Sequence, residues 1–209
     1  MSNLEIGIIV LAAGGSTRLG KPKQLLTYKG KSLLRRSVEA AIECGCGKVT
    51  VVLGFEAEEI AKDVLDLPIE IVRNDIWSEG IASSIKAGLE NLLETNPGLA
   101  AVVVMLSDQP YVNEKTIASL INTYKSSGKP IVAAEYDGVV GVPALFDRGM
   151  FAELTNLDGD AGARFVIRQH IGLELATVAA PEASFDIDTL EDYERLSNPG
   201  THHHYFRNV

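Results

Sequence analysis

A loop of small residues followed by cations is the first stretch of the sequence that could do chemistry. Ala12–Ser16 reads AAGGS, and Arg18 and Lys23 come shortly after it. Small side chains leave the backbone open to a ligand, and successive main-chain N–H groups in such a loop form an anion-binding concavity. An arginine adds a bidentate fork to such a site, and a lysine adds a point charge. The stretch therefore predicts a site for a triphosphate.

Two other glycine-rich phosphate loops fit this stretch poorly. The dinucleotide fingerprint G-x-G-x-x-G is absent, because Gly14 and Gly15 are adjacent and the next glycine is Gly20. The loop G-x-x-x-x-G-K-[ST] is nearly matched, but Pro22 stands where its magnesium-binding hydroxyl belongs. A surface turn with solvated cations remains as the structural alternative.

Asp108 is the first candidate ligand for a divalent cation. It follows Ala101–Leu106 (AVVVML), the most strand-like run of the chain. Ligands of open α/β sheets bind outside the carboxyl ends of the strands, so Asp108 and Gly14 face one crevice if their strands are parallel and close. Magnesium usually takes one or two carboxylates together with substrate phosphates. The alternative is that Asp108 is a turn residue before Pro110.

Two further carboxylates lie near the end of the chain. Asp186 and Asp188 fall on the same side of an extended segment, where a carboxylate could complete a metal site. Asp188 could instead cap the helix predicted at Thr189–Leu196. The residues alone support both interpretations.

Two serines at a helix start are candidates for contact with a nucleoside. Ser83 and Ser84 open a helix after Gly80, from which hydroxyl and N–H groups could reach a base or a ribose. Ser83 could equally be an ordinary capping residue, with Trp77 in the core.

A later glycine-bearing turn carries a candidate anion contact. Arg164 lies one turn inside a predicted helix that runs through Ile167, where it could face a second anionic substrate. In the simplest interpretation of the same turn, Asp160 caps that helix.

Strand-like and helix-like runs alternate along the chain. The predicted strands are Ile8–Leu11, Val49–Leu53, Ile69–Val72, Ala101–Leu106, Ile131–Ala134, Val139–Phe146 and Leu173–Val178. Between them, helices are predicted from Ser32 to near Gly45, at Ala57–Leu65, in the second half of Asn74–Leu89 and at Asn113–Ser126. This alternation implies βαβ units and an α/β fold, with Pro143 at a sheet edge.

The composition narrows the classes of partner. The net charge of −9 offers no basic field for nucleic acid or for a membrane surface. Polyanionic substrates would therefore need local cations, backbone N–H groups and a divalent metal. Because no signal peptide and no apolar run of membrane-spanning length is visible, we expect a cytoplasmic protein.

Chain length and the remaining features predict a simple organisation. We expect one domain over residues 1–198 and a flexible tail over 199–209, to whose three histidines we assign no function. Cys44 and Cys46 have no second pair that would complete a zinc or iron–sulfur site. We expect both to be small structural residues.

Motifs spread over nearly the whole chain resemble those of a known family. Leu11–Lys23 resembles L-A-A-G-x-S-x-R-x-G-x-x-K, the signature of nucleotidyltransferases with a molybdopterin-guanylyltransferase-like fold. The later motifs NDIWSEGIASSIKAGL, SDQP, GVPALF, GDAGAR and DIDT resemble those of molybdenum cofactor cytidylyltransferases, within the MobA-like NTP transferase superfamily. The guanylyltransferase branch usually has L-A-G-G where this chain has LAAG. The isoprenoid-pathway cytidylyltransferases share the loop but not the later motifs.

The resemblance implies a fold and a reaction. The fold is a three-layer, Rossmann-like α/β fold of the nucleotide-diphospho-sugar transferase type, with a mixed, mostly parallel sheet and helices on both faces. The reaction is Mg²⁺-dependent transfer of CMP from CTP to the phosphate of molybdopterin, with release of pyrophosphate, and a molybdenum hydroxylase would receive the product. The alternatives are a different phosphorylated acceptor, such as a sugar phosphate or an isoprenoid polyol phosphate, and a non-catalytic carrier of the molybdenum cofactor.

The resemblance also implies which residues act on the nucleotide. Because a phosphate nucleophile is already ionised near neutral pH, catalysis reduces to positioning and charge neutralisation. The catalytic residues implied are Arg18, Lys23 and Asp108. The nucleotide-binding residues implied are Leu11, Ala12, Ala13, Gly14, Gly15, Ser16, Lys23, Ser83, Ser84 and Asp108.

The remaining implied residues concern the acceptor and the metal. Gln109 and Arg164 would contact the acceptor, with Arg164 near the pterin phosphate. Asp108 and Asp188 would hold magnesium, and Asp186 is the alternative to Asp188.

Overall fold

A mixed sheet of seven strands is the centre of the computed structural model, which describes residues 4–16, 19–172 and 174–197. The strands are β1 (Ile6–Ala12), β2 (Thr27–Tyr28), β3 (Lys31–Ser32), β4 (Val49–Leu53), β5 (Glu70–Arg73), β6 (Ala101–Leu106), β7 (Ile131–Tyr136), β8 (Val139–Asp147) and β9 (Leu175–Ala179). Strands β2 and β3 form a separate hairpin, and the order in the main sheet is β5-β4-β1-β6-β8-β7-β9. Only β8 runs antiparallel to its neighbours in that sheet. The predicted mixed, mostly parallel sheet is confirmed.

Helices cover both faces of the sheet, as the α/β prediction requires. They are α1 (Leu33–Glu43), α2 (Ala57–Ala61), α3 (Ile81–Thr95), α4 (Glu114–Ser127), α5 (Phe151–Thr155), α6 (Ala163–Gln169) and α7 (Leu190–Ser197). Helices α1, α2 and α4 contribute to one apolar cluster, and α3, α5 and α6 to another. Two clusters form because alternate residues of a strand point to opposite faces: Ile8 belongs to the first and Ile9 to the second.

Strand β1 brings the two candidate loops to the same edge of the sheet. All of its residues are buried, as expected for a β-branched run in the middle of a parallel sheet. Leu11 is in register with Val52 in β4 and with Leu106 in β6. The loops after β1 and β6 therefore leave adjacent parallel strands at their carboxyl ends, which confirms the condition on which a shared crevice depends.

Pro143 lies in an interior strand, so the prediction of a sheet edge was wrong. Strand β8 lies between β6 and β7, and its register with β7 shifts between Ala133 and Ala134. This bulge leaves Val142 and Pro143 without ladder partners in β7. The proline can occupy the strand because its missing N–H falls where the ladder is already interrupted.

The helices that flank β4 begin and end for local reasons. Ser32 caps α1, since its Oγ accepts a hydrogen bond from the Arg35 N–H at 2.9 Å, which confirms the predicted cap. The helix predicted at Ala57–Leu65 ends at Ala61 instead. Turn hydrogen bonds replace the helical ones after that point, as in the bond from the Val64 N–H to the Ala61 carbonyl at 3.0 Å.

Helix α6 is not capped by Asp160, so that interpretation was wrong. Its N-cap is Gly162, which makes no side-chain cap hydrogen bond. The preceding turn is held against α3 instead, because the Gly159 carbonyl accepts a hydrogen bond from the Ala82 N–H at 3.1 Å. Helix α6 therefore begins two residues later than a cap at Asp160 would place it.

The cysteines, the apolar character of the helices and the predicted tail can be compared with the structure. Cys44 and Cys46 are free, half-buried thiols. Among the helices in the described ranges, none combines the length and the apolar character that a membrane span requires. The predicted tail at 199–209 lies outside the described residues.

Candidate active site

Lys23 joins two carboxylates at the carboxyl edge of the sheet. Its Nζ lies 2.5 Å from Asp108 Oδ2 and 3.0 Å from Asp188 Oδ1. The Lys23 and Asp108 side chains are only 18% and 12% exposed, whereas Asp188 is 44% exposed and reaches solvent. The fold thus brings together three of the residues that the sequence analysis assigned to charge neutralisation and metal binding.

The protein environment keeps Lys23 charged. Burial alone would lower the pKa of Lys23, but the charge of Asp108 and the hydrogen bonds to Asp108 and Asp188 outweigh it and raise the pKa. A protonated lysine is therefore held beside the loop that follows β1.

Gln24 holds the loop after β1 in place. Its side chain is only 1% exposed, and its Nε2 donates hydrogen bonds to the carbonyls of Ala12 at 2.8 Å and Gly14 at 2.9 Å. Ser16 Oγ accepts a hydrogen bond from the Lys23 N–H at 3.0 Å. These contacts fold the segment back so that Lys23 can reach Asp108. This role of Gln24 was not predicted from the sequence, although the residue follows Lys23 directly.

The two adjacent glycines of this loop have different surroundings. A Cβ added to Gly14 would meet no heavy atom within 4 Å, whereas one added to Gly15 would lie 3.1 Å from Trp77 Cη2. Open backbone for an approaching ligand is thus present at Gly14, while Gly15 leaves room for an indole. Arg18, the other cation predicted for this site, lies outside the described residues.

Asp108 is tied to β1 through its neighbour and has one buried oxygen to spare. The Ser107 N–H donates to the Leu11 carbonyl at 3.2 Å, which fixes the turn after β6 against the end of β1. Asp108 Oδ2 accepts from Lys23, but its buried Oδ1 has no hydrogen-bond partner among the described residues. A buried carboxylate oxygen without a partner is costly unless a ligand satisfies it.

A late segment of the chain brings two more carboxylates to Asp108. The Ile187 N–H donates to the Asp108 carbonyl at 3.0 Å, and the Ile187 side chain is fully buried in a small apolar cluster with Leu26 and Leu33. Because neighbours alternate in an extended segment, burying Ile187 turns Asp186 and Asp188 to the other side. Both interact electrostatically with Asp108 or Lys23.

Asp188 does not cap helix α7, so that alternative was wrong. Thr189 Oγ1 accepts a hydrogen bond from the Asp192 N–H at 3.2 Å, and Asp192 Oδ2 accepts one from the Thr189 N–H at 2.9 Å. This reciprocal pair is a capping box centred on Thr189. The Asp188 carboxylate contacts Lys23 instead.

The surroundings of Asp186 raise the pKa of its carboxyl group. Desolvation by the surrounding protein and the charge of Asp108 raise the pKa of Asp186 from 3.8 to about 6, and the hydrogen bond from Gln109 only partly opposes this. Asp186 is nevertheless exposed at the surface of the protein.

The donor set fits a hard divalent cation. Carboxylate oxygens are the ligands that magnesium and manganese prefer, and the unpartnered Asp108 Oδ1 is one such donor. In the ranges that the structure describes, no three His, Cys, Asp or Glu side chains converge as a complete metal cluster. The Lys23 ammonium contacts both Asp108 and Asp188, and substrate phosphates would have to complete the coordination of a metal.

Asn74 organises the start of α3, where Ser83 and Ser84 are the predicted nucleoside contacts. Its buried Nδ2 donates to Ser83 Oγ at 2.8 Å and to Ser84 Oγ at 3.0 Å, and its Oδ1 accepts from the Ile76 N–H at 3.1 Å. Ser83 Oγ also donates to the Gly80 carbonyl at 2.8 Å. Both hydroxyls thus help to hold the loop after β5 against the start of α3. Asn74 was missed because its partners are nine and ten residues away.

Gln109 and Arg164 are the two predicted acceptor residues. They lie towards β8 and β7, on the opposite side of Asp108 from Asn74. Gln109 is buried, and its Nε2 donates to the carbonyls of Ala183 at 2.9 Å and Val142 at 3.3 Å. Arg164 donates to Tyr136 Oη at 2.8 Å, at the carboxyl end of β7. Gln109 therefore braces the site in this arrangement, and Arg164 lies near the same sheet edge.

The protein has a small-residue loop, a charged lysine and carboxylates at the carboxyl edge of a mostly parallel sheet. This combination is the one expected of an α/β nucleotidyltransferase. Residues 8–174 match the family described as the MobA-like NTP transferase domain. Because this match covers most of the chain, the protein belongs to the MobA-like NTP transferase family.

Similar proteins include one curated relative and two solved structures. The chain is 33% identical to the nicotine blue oxidoreductase of Paenarthrobacter nicotinovorans over 198 residues. This alignment covers 90% of this chain and 94% of the relative. It is 35% identical to the Rv0371c homologue of Mycobacterium sp. strain JC1, with a TM-score of 0.79 over 91% of this chain and 94% of that one. It is 29% identical to Rv0371c of Mycobacterium tuberculosis H37Rv, a structure determined as a complex with manganese, with a TM-score of 0.74 over 92% of this chain and 97% of that one.

Proposed function

We propose that the protein transfers CMP from CTP to the phosphate of a molybdopterin-type cofactor, giving the cytosine dinucleotide and pyrophosphate. The observation that carries the proposal is the Lys23 ammonium held between Asp108 and Asp188, beside a backbone loop that is open at Gly14. Membership of the MobA-like NTP transferase family supports nucleotidyl transfer. The cofactor as acceptor and CTP as donor rest on the resemblance of the later motifs.

The reaction is an in-line displacement at the α-phosphorus of the triphosphate. The attacking phosphate is already ionised, so the protein needs to align the two substrates and neutralise charge. In this proposal the backbone of Ala13–Ser16 cradles the triphosphate, and Lys23 and Arg18 neutralise charge that develops on it. Asp108 and Asp188 would hold Mg²⁺, which supplies charge neutralisation at the phosphate oxygens when bound.

The test measures pyrophosphate release from each nucleoside triphosphate in turn. Purified protein is incubated with magnesium, with and without molybdopterin that carries molybdenum. We expect release from CTP only when the cofactor is present. Release from CTP with a sugar phosphate or an isoprenoid polyol phosphate would keep the mechanism and change the acceptor. Tight cofactor binding without release from any triphosphate would instead favour a carrier.

A redox role is the second candidate, since a relative 33% identical over 90% of this chain is named nicotine blue oxidoreductase. This chain lacks the G-x-G-x-x-G dinucleotide fingerprint, which favours the transferase. The same protein preparation should be mixed with nicotine blue and a reduced nicotinamide nucleotide. Loss of the dye's colour at a catalytic rate, without pyrophosphate release in the first assay, would select the redox role.

A further inference from the structure

Trp77 lies where three loops of the candidate site meet. It follows β5, while Gly54 follows β4 and Gly15 follows β1, and these three strands are neighbours in the sheet. A Cβ added to Gly54 would lie 2.6 Å from Trp77 Cβ and Cγ, and one added to Gly15 would lie 3.1 Å from Trp77 Cη2. The indole therefore spans the carboxyl ends of β5, β4 and β1.

Space, rather than backbone conformation, explains both of these glycines. Neither Gly15 nor Gly54 has the positive φ that favours glycine, so another residue could adopt the same backbone angles. A methyl group at Gly54 would also lie 2.8 Å from the Ala13 carbonyl oxygen, so part of this contact would have to shift. A methyl group at Gly15 would require the indole to move by a few tenths of an ångström. The glycines thus preserve contact between the indole and the backbone.

Phe55 contacts both Trp77 and the loop after β1. Its ring packs edge-to-face on Trp77, with centroids 5.7 Å apart and an interplanar angle of 72°. Its N–H donates to the Ala13 carbonyl at 3.0 Å. The Ala13 carbonyl is fixed from this side, and Gly14 next to it remains open to a ligand.

We propose that Trp77 is a positioning residue for the loop Ala13–Ser16, whose backbone would cradle the triphosphate. Its indole packs on Gly15 and Gly54 and sets the loop backbone in the conformation that receives the phosphates of a nucleoside triphosphate. This inference rests on the proposed function and deepens it, since it identifies what preorganises the anion site. Trp77 also packs against the apolar cluster on the α3 side of the sheet, but packing alone would not couple it to a ligand.

The first measurement uses the fact that Trp77 is the only tryptophan of the chain. Indole emission is recorded while the protein with magnesium is titrated with CTP, with correction for absorption by the nucleotide. Equilibrium dialysis with labelled CTP measures binding independently of the indole. We expect the emission to change saturably, with the same midpoint as the dialysis curve.

Variants then separate positioning from packing. We expect Trp77→Ala to bind CTP about tenfold more weakly by dialysis, and Trp77→Phe to stay within about threefold of wild type, because a phenyl ring keeps part of the contact. Gly15→Ala should also weaken binding, and Trp77→Phe in the same chain should restore part of it by making room for the methyl group. Leu65→Ala removes an exposed apolar side chain from the turn after α2 and is the control.

The outcomes distinguish this inference from the proposed function. If wild type binds CTP by dialysis without any change in emission, or if Trp77→Ala binds CTP as wild type does, the positioning role is wrong and the proposed function stands. If Trp77→Ala does not fold, wild-type emission and the Gly15→Ala pair still decide the question. If wild type binds no triphosphate, the proposed function fails and this inference fails with it.

Discussion

The Lys23 ammonium lies 2.5 Å from Asp108 Oδ2 and joins the loops that leave two adjacent parallel strands, β1 and β6. The pair is largely shielded from solvent, so its attraction is screened less than that of an exposed ion pair. Asp188 is the more exposed partner of the same lysine. In a chain with a net charge of −9, Lys23 thus brings a cation to the carboxyl edge of the sheet, where two carboxylates pair with it.

Asp108→Asn should abolish most nucleotidyl transfer while leaving the fold intact. The change removes one negative charge and keeps the size of the side chain, so the loss should be about a hundredfold or more in kcat. The measurement is the rate of pyrophosphate release at saturating magnesium, with the thermal midpoint as a check on folding. Asp66→Asn, at an exposed carboxylate that contacts Arg35, is the matched control. A magnesium-dependent Asp108→Asn protein with near wild-type rates would contradict the role.

Lys23→Gln should lower kcat more than it raises the KM for CTP. A lysine that stabilises charge in the transition state affects kcat, whereas a uniform binding group affects only KM. Steady-state kinetics with varied CTP separate the two cases. Lys62→Gln removes an exposed lysine that pairs with Glu59 and should change neither constant. If only the KM rises, Lys23 contributes to binding and not to the chemical step.

Gln24→Leu should both destabilise the protein and weaken triphosphate binding. The variant removes the donor from the carbonyls of the buried Ala12 and the exposed Gly14, and loss of the buried hydrogen bond costs about 1–3 kcal/mol. Chemical denaturation measures the loss of stability, and dialysis measures the affinity for CTP. Gln169→Leu changes an exposed glutamine at the end of α6 and is the control. Wild-type affinity in Gln24→Leu would show that the loop does not need this brace.

Asp186 should make the protein less stable as the pH rises from about 4 to about 6. Its pKa is raised from 3.8 to about 6 in the folded state, so the unfolded chain gives up this proton first and is favoured across that window. Asp186→Asn should therefore match wild type below about pH 4 and exceed it above about pH 6. Because Asp186 borders solvent, we expect a gain below about 1 kcal/mol. Thermal midpoints across this range, measured without metal, test the sign. A variant that is less stable than wild type at neutral pH would contradict it.

Features with a local cause could be predicted from the sequence. The apolar run of β1 indicates burial on both faces, and the small residues after it indicate a loop. Ser32 caps α1 as predicted, since a cap depends only on residues three positions apart. The alternation of strand-like and helix-like runs is enough to predict the α/β class.

Features that depend on which strands become neighbours were mispredicted or missed. Pro143 reads as an edge residue, but a bulge makes it tolerable inside the sheet. The alternative role of Asp188 as a cap was wrong, because Thr189 and Asp192 cap the helix between themselves. The roles of Gln24 and Trp77 depend on backbone that the chain brings to them from other strands.

The sequence by itself determined the periodicity of the elements, the small-residue loop and the kinds of charged residue available to bind phosphate. The tertiary structure decided which of those charges meet. Lys23 and Asp188 are 165 residues apart in the chain, and they touch only because strand order and the burial of Ile187 bring both to the end of β6. Periodicity follows from the local geometry of the backbone, whereas such a contact follows from the packing of the whole sheet.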